Sequence, residues 1–192
     1  MSNRDSMGFK VVGSLGGGGV PPSRAYYKAA GTTVTHDLFI GDAVKPSGSA
    51  DANGRQGVVL ATAGDTPVGW ITGFKINPAD PLERATWIDG ASEGYPLVCD
   101  DPNAIAEIQA DDVIAATDIG LNADLVQTAA GSRTSGMSGQ EIDQSTKATT
   151  STLVYRIYGM PPRADNTINA ENNKVLVVHN VHAYKSVGVD GV

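Results

Sequence analysis

The residues best equipped for chemistry are two histidines, two pairs of aspartates, one serine flanked by glycines and one cysteine. His179 and His182 stand three apart, in and just after a run, Val175–Val181, that reads as a strand. On a strand an odd separation sends two side chains to opposite faces, so they would not chelate one metal. His36 is remote in sequence, and each histidine reads as a satisfied core group or a surface group. Asp100–Asp101 and Asp111–Asp112 are adjacent pairs, which also diverge on a strand. Neither pair has the Asp-x-Asp-x-Asp-Gly spacing of a calcium loop, nor a partner carboxylate for glycoside hydrolysis. Both flank apolar runs, as solvated strand ends do. Ser138 sits in Gly136-Met137-Ser138-Gly139-Gln140, where Gln140 replaces the second glycine of a nucleophile elbow and no strand-to-helix turn follows. Cys99 is the only cysteine, which rules out an intrachain disulfide and fits synthesis in a reducing cytoplasm. It reads as a small buried hydrophobe in the strand Tyr95–Cys99.

The glycine run Gly16–Gly19 invites a phosphate-binding reading, but no Gly-Lys-Ser/Thr follows and no strand–turn–helix context surrounds it. No catalytic residue, metal or cofactor is therefore expected, and the protein is not read as an enzyme. The net charge of −7 and pI of about 4.8, with 14 basic residues scattered among 21 acidic ones, argue against a nucleic-acid partner. No apolar run approaches the ~20 residues that span a bilayer, so no membrane partner is expected. Met1–Lys10 is polar and lacks the apolar segment of a signal peptide. Charged residues make up only 18% of the chain, which leaves a surface rich in Ser, Thr, Asn and Gly and suited to protein–protein packing.

The elements that would position these groups are strands. Leu153–Tyr158 and Val175–Val181 flank a polar, Pro- and Asn-rich loop. In the first, Leu153, Tyr155 and Ile157 share one face. The second is apolar on both faces, as a strand buried in the middle of a sandwich or barrel would be. Further strands are predicted at Ala25–Ala30, Leu38–Val44 with a bulge at Gly41, Gly57–Thr62, Val68–Ile76, Thr86–Ile88, Tyr95–Cys99, Val113–Thr117 and Ala123–Thr128. Gly57–Thr62 and Val68–Ile76 look like a hairpin pair, and Pro46–Gly57 like a polar loop with a tight turn at Asn53–Gly54. Ala104–Ala110 is open between strand and helical turn, and Ala129–Thr152 between edge strand and ordered loop. No sustained 3.6-residue apolar pattern marks an ordinary helix. The fold class is all-β, a β-sandwich of jelly-roll-like form, with one β domain over residues 25–192.

Residues 1–24 read as an extended Gly/Pro-rich arm, since ordered glycines are costly and Pro21 and Pro22 cannot pair in a central strand. Phe9, Val11, Val12, Leu15, Val20, Pro21, Pro22 and Arg24 are its partner-binding candidates. The arm is expected to order only on a neighbouring copy or another partner, by adding to a sheet edge. Its removal is expected to leave the β domain folded.

Three stretches carry a family resemblance: Leu38–Gly73 (LFIGDAVKPSG, then GVVLATAGDTPVGWITG), Ala106–Val126 (AEIQADDVIAATDIGLNADLV) and Lys174–Tyr184 (KVLVVHNVHAY). With their spacing they cover most of Ala25–Tyr184, and the chain resembles the head decoration, or cement, proteins of tailed bacteriophages. The resemblance implies a β-rich viral structural protein made in the host cytoplasm and carried on the outer surface of the virion capsid. It implies a homotrimer whose partner is the major capsid protein. The alternative is a carbohydrate-binding β module of a phage fibre or other surface structure, with Trp70, Trp87 or tyrosines as its stacking platform.

Overall fold

The computed structural model of the protein describes residues 7–31, 36–76 and 86–185. The first half of the expected polar stretch Asn77–Gly94, residues 77–85, lies outside them, as do the first six residues of the predicted arm. The described strands are β1 (Lys10–Ser14), β2 (Arg24–Ala25), β3 (Leu38–Phe39), β4 (Ala43–Ala50), β5 (Gln56–Leu60), β6 (Gly69–Lys75) and β7 (Trp87–Ile88). They continue with β8 (Tyr95–Cys99), β9 (Ala104–Gln109), β10 (Asn122–Gln127), β11 (Gln140–Ala148), β12 (Tyr155–Gly159) and β13 (Lys174–His179). The only helical element among the described residues is a 3-10 turn, Ala116–Asp118. The protein is all-β, with antiparallel sheets packed together as in a sandwich.

The larger sheet runs β1-β9-β13-β12-β10-β11, and the second runs β2-β8-β6-β4-β5. Each curls until its ends nearly meet. Beyond β9 the chain crosses to the far edge, where Ala110 bridges Ile142 of β11 and the Asp111 N–H donates to the Ile142 carbonyl at 3.0 Å. In the second sheet the residues after β2 lie between its two ends. Tyr26 and Lys28 donate to Pro96 and Gly94 on one side, while Tyr27 exchanges bonds with Gln56 and Val58 on the other. These contacts cover the β11 edge and the ends of the second sheet, edges that would otherwise template aggregation, and leave β1 as an end strand.

Two clusters of buried side chains follow. One joins the larger sheet to the second, packing Phe9, Ile108, Ile142, Tyr155, Ile157, Val175 and Val177 with Ala43, Trp70 and Cys99 of β4, β6 and β8. The other packs Val44, Val58, Ile71 and Val98 of the second sheet with Leu38 and Ile88 of the two-stranded pair β3-β7. The doubly apolar run at Val175 becomes β13, third in the six-strand order, with a neighbour on each side. The alternation of the first run holds from Tyr155, with Tyr155 and Ile157 buried and Tyr158 exposed, but fails before β12 begins, where Val154 is buried and Leu153 only partly so.

Several local readings change. The loop predicted at Pro46–Gly57 is mostly strand, because β4 extends to Ala50 before the turn at Asp51–Gly54. Pro46 is tolerated there because β4 meets β6 only at Ala43 and Val44. At Pro46 the sole strand neighbour is β5, so the missing N–H breaks no ladder. The predicted hairpin of Gly57–Thr62 with Val68–Ile76 does not form, since β4 lies between β5 and β6. The expected strand Leu38–Val44 breaks at Gly41–Asp42 into β3 and β4. Val113–Thr117 is not a strand. The Asn173 side chain takes the place of a strand neighbour there, accepting from the Ile114 N–H at 3.0 Å and donating to its carbonyl at 2.7 Å. Ala104–Ala110 resolves to strand, and Ala129–Thr152 contributes β11 at the end of the sheet.

Cys99 is fully buried and paired in register with Trp70. Burial pushes its thiol pKa up, so little thiolate exists at neutral pH. A thiol reagent is expected to label native protein no faster than the chain unfolds, and labelling at the free-thiol rate in the absence of denaturant would contradict this packing.

Candidate interaction surface

The predicted arm is extended, but within residues 7–24 it runs along its own chain. β1 pairs antiparallel with β9, Lys10 opposite Glu107 and Ser14 opposite Ala104, with an irregularity between Val11 and Gly13. The expectation that these residues order only on a partner is corrected: they complete the larger sheet. Phe9 is 2% exposed, stacked on Trp70 with ring centroids 5.3 Å apart and against Tyr155 at 4.8 Å. Sequence reasoning missed this because one phenylalanine beside a glycine run carries no periodic signal. Its entry needs a close backbone approach. The Phe9 N–H donates to the Gly41 carbonyl at 2.8 Å, and a Cβ on Gly8 would stand 2.5 Å from that oxygen.

The candidate residues therefore divide. Phe9 is core, and Val11 packs partly buried against the same cluster. Val12, Leu15 and Val20 face outward, 39%, 49% and 59% exposed. Between Leu15 and Val20 three successive glycines, Gly17 to Gly19, hold φ of 75°, 89° and 91°, a left-handed run that only glycine adopts readily. The turn stands in open space, where added Cβ atoms would touch nothing within 4 Å. Pro21, Pro22 and Arg24 then line a cleft of 480 Å³ with Asp100, Asp101, Pro102 and Tyr184. Arg24 pairs with Asp100 at 3.4 Å, but its side chain is 77% exposed, so the pair adds little stability and the guanidinium stays accessible.

The N-terminal sequence differs in charge from the rest of the chain. Residues 1–28 hold four of the 14 basic groups (Arg4, Lys10, Arg24 and Lys28) and one of the 21 acidic groups, Asp5. Lys28 is buried and committed internally, its Nζ donating to the carbonyls of Gly90 at 2.9 Å and Ser92 at 2.8 Å. Lys10 is exposed, so Lys10, Val12, Leu15 and Val20 all face outward along β1 and the turn after it, on a molecule that is acidic as a whole. β1 is also an end strand, with β9 as its one strand neighbour among the described residues.

The groups with chemical potential are engaged in architecture. Asp100 accepts from the Tyr26 hydroxyl at 2.8 Å, and Asp101 from the Asn103 N–H at 2.8 Å. Asp111 accepts from the Gln144 N–H at 2.9 Å. Ser138 is buried and its hydroxyl accepts from the Gln140 N–H at 3.0 Å. No three His, Cys, Asp or Glu side chains among the described residues are grouped to hold a metal. Trp70 is wholly buried, and Trp87 stacks on Phe39 with the Arg133 guanidinium 4.4 Å over its ring.

The histidines are a correction. β13 ends at His179, and the turn at Asn180 brings His182 back, so the two rings meet edge to face with centroids 4.6 Å apart. Both are buried, and His179 stacks on Trp70 at 3.9 Å. Burial, then the neighbouring His182 and Lys185, holds the His179 pKa well below the usual imidazole value. A surface position, one of the two sequence readings, is excluded for both.

Family models, curated proteins and solved structures were all compared with this chain, and none matches. What is established is the class: an all-β body of packed antiparallel sheets, with β1 at one end of the larger sheet.

Proposed function

We propose that this protein is a decoration, or cement, protein of a tailed-bacteriophage head. In this reading it acts as a homotrimer on the outer capsid surface, bridges major capsid protein subunits, and is a structural protein with no catalytic role. The observation that carries the reading is the outward strip Val12, Leu15 and Val20 on β1 and its glycine turn, beside the Pro21–Pro22–Arg24 cleft. Apolar side chains held on an ordered strand cost less entropy to dock than the same side chains on a free arm. Each fully buried Val or Leu contributes about 1.5–3 kcal/mol. A ligand that binds only the assembled shell stabilises it by mass action, and several linked copies add avidity. The resemblance in Leu38–Gly73, Ala106–Val126 and Lys174–Tyr184 supports the same reading.

The test is binding to expanded shells of the virus that encodes the chain, read by co-sedimentation and by shell melting. Wild-type protein is expected to sediment with shells and raise their melting temperature. The triple variant Val12→Ser, Leu15→Ser, Val20→Ser is expected to keep its own fold, yet bind at least tenfold more weakly. Absence of wild-type binding, or unchanged binding by a folded triple variant, would refute the assignment.

A further inference from the structure

The chain beyond β13 is a strap that ties one sheet to the other. Asn180 and Val181 donate backbone N–H groups to the Val154 carbonyl at 2.8 and 3.1 Å, holding its start to the larger sheet. Ala183 then donates to the Pro67 carbonyl at 2.8 Å, just before β6 in the second sheet. The Tyr184 hydroxyl meets those of Tyr26, at 3.2 Å, and the side chain of Gln56. His182 sits between these anchorages, 2% exposed. Its Nδ1 accepts from the Tyr184 N–H at 3.0 Å, so the neutral ring carries its proton on Nε2.

We propose that His182 is the acid-sensitive pin of this strap, and that protonation at Nδ1 releases residues 182–185 from the second sheet while the two sheets stay folded. The reason is geometric. A protonated Nδ1 is a donor and cannot accept from the Tyr184 N–H, so the turn loses its inner bond and a charge appears in a buried position. The groups facing the ring divide in sign. Asp100 and Asp101, after β8, favour the charged ring, and Lys185 on the strap opposes it. His179 lies edge to face against it, with Tyr155 of β12 and Trp70 of β6 behind. Tyr26 and Tyr184 are neutral hydroxyl partners. Desolvation outweighs the backbone contact at Val68 and the aspartates, so the closed strap holds the ring neutral below the ordinary imidazole range. Release takes Tyr184 out of the cleft that Pro21, Pro22 and Arg24 line. Acid thereby regulates the proposed contact surface, a consequence that rests on the cement-protein reading.

The sign follows from linkage. A pKa lowered in the closed state means that closure is complete above about pH 6.5, the free imidazole value, and is lost as pH falls below it. The experiment is amide hydrogen exchange on the isolated full-length protein from pH 8 to pH 4, corrected for intrinsic exchange. Protection of the Ala183 and Tyr184 amides is expected to fall about tenfold per pH unit below 6.5, while β12 and β13 amides keep theirs. His182→Gln, whose side-chain carbonyl accepts from the Tyr184 N–H at every pH, is expected to flatten that dependence. A parallel titration of the His182 ring nitrogens in wild-type protein covers the case of a misfolded variant: its midpoint must coincide with loss of Ala183 protection. Ala183 protection that tracks β13 at every pH, or ring titration without loss of protection, would overturn the latch. Because the readout is protection in the isolated protein, the result stands apart from whether the protein binds a shell.

Discussion

A chain lacking residues 1–14 is expected to be unfolded or molten under conditions where the full-length protein is native. The reason lies in what those residues do for their own domain. Phe9 stacks on Trp70 and Tyr155 at the centre of the larger core, and Trp70 in turn stacks on His179. Truncating a buried phenylalanine alone costs about 3–5 kcal/mol. That is a large share of the roughly 5–15 kcal/mol that separates folded from unfolded domains. Deletion removes more: the pairing of β1 with β9 and the bond from the Phe9 N–H to Gly41 also go, exposing β9 as a new edge. Urea denaturation followed by tryptophan fluorescence tests this on the single variant Phe9→Ala, which should lose about 3–5 kcal/mol with an unchanged m-value. Near-native stability of Phe9→Ala, or a cooperative transition in the deletion at the full-length midpoint, would restore the separable arm that the sequence suggested. The expectation also bears on function. Truncation cannot separate binding from folding here, whereas Val12, Leu15 and Val20, which face solvent, can be changed without opening the core.

Replacing Asp42 by Asn is expected to stabilise the protein at pH 8 by roughly 2–4 kcal/mol, with the gain vanishing towards pH 4. Asp42 is 1% exposed at the break between β3 and β4. Its Oδ2 accepts from the Phe39 N–H at 2.7 Å, while its Oδ1 is buried without a hydrogen-bond partner. Desolvation is the dominant influence and pushes the carboxyl pKa from 3.8 up to about 7; the Ser138 hydroxyl and then the Phe39 N–H oppose it, and Asp37 adds to it. A carboxyl whose folded pKa lies above its unfolded value favours the folded state when protonated. Its contribution is therefore complete below pH 3.8 and lost as pH rises to about 7. At about 1.36 kcal/mol per unit the full loss is at most roughly 4 kcal/mol. Asparagine keeps the acceptor for the Phe39 N–H and removes the titration. Denaturation of both proteins at steps from pH 4 to pH 8 gives the difference directly, and the histidine contributions cancel in it. A constant difference across that range would mean that Asp42 remains ionised in the fold.

The strands that were legible in the sequence were those with a local pattern; β1, the second half of β4 and β11 carried none that marked them. Period-two alternation at Tyr155–Tyr158 and unbroken apolar character at Val175–Val178 report burial on one face or on two, and Asn53–Gly54 reports a turn through the conformational freedom of glycine. The absence of helical periodicity likewise determined the all-β class, and a lone cysteine at the end of the run Tyr95–Cys99 pointed to a buried thiol. Which strands neighbour one another was not legible. β4 inserts between β5 and β6, and β1 joins β9 across some ninety residues of chain, choices made by matching faces and edges in space. The same holds for the site. The sequence marked Phe9, Val12, Leu15 and Val20 alike as apolar residues in a glycine-rich segment; only packing sent Phe9 inward onto Trp70 and left the other three outside. The rule of opposite faces would have kept His179 and His182 apart had the strand continued. The turn at Asn180, whose side chain donates to the Ser151 and Leu153 carbonyls at 2.9 and 2.8 Å, ended the strand and set the rings against each other. Periodicity fixes the direction of a side chain only as long as the backbone keeps one conformation. Beyond the last ladder bond, long-range hydrogen bonds and the filling of the core decide.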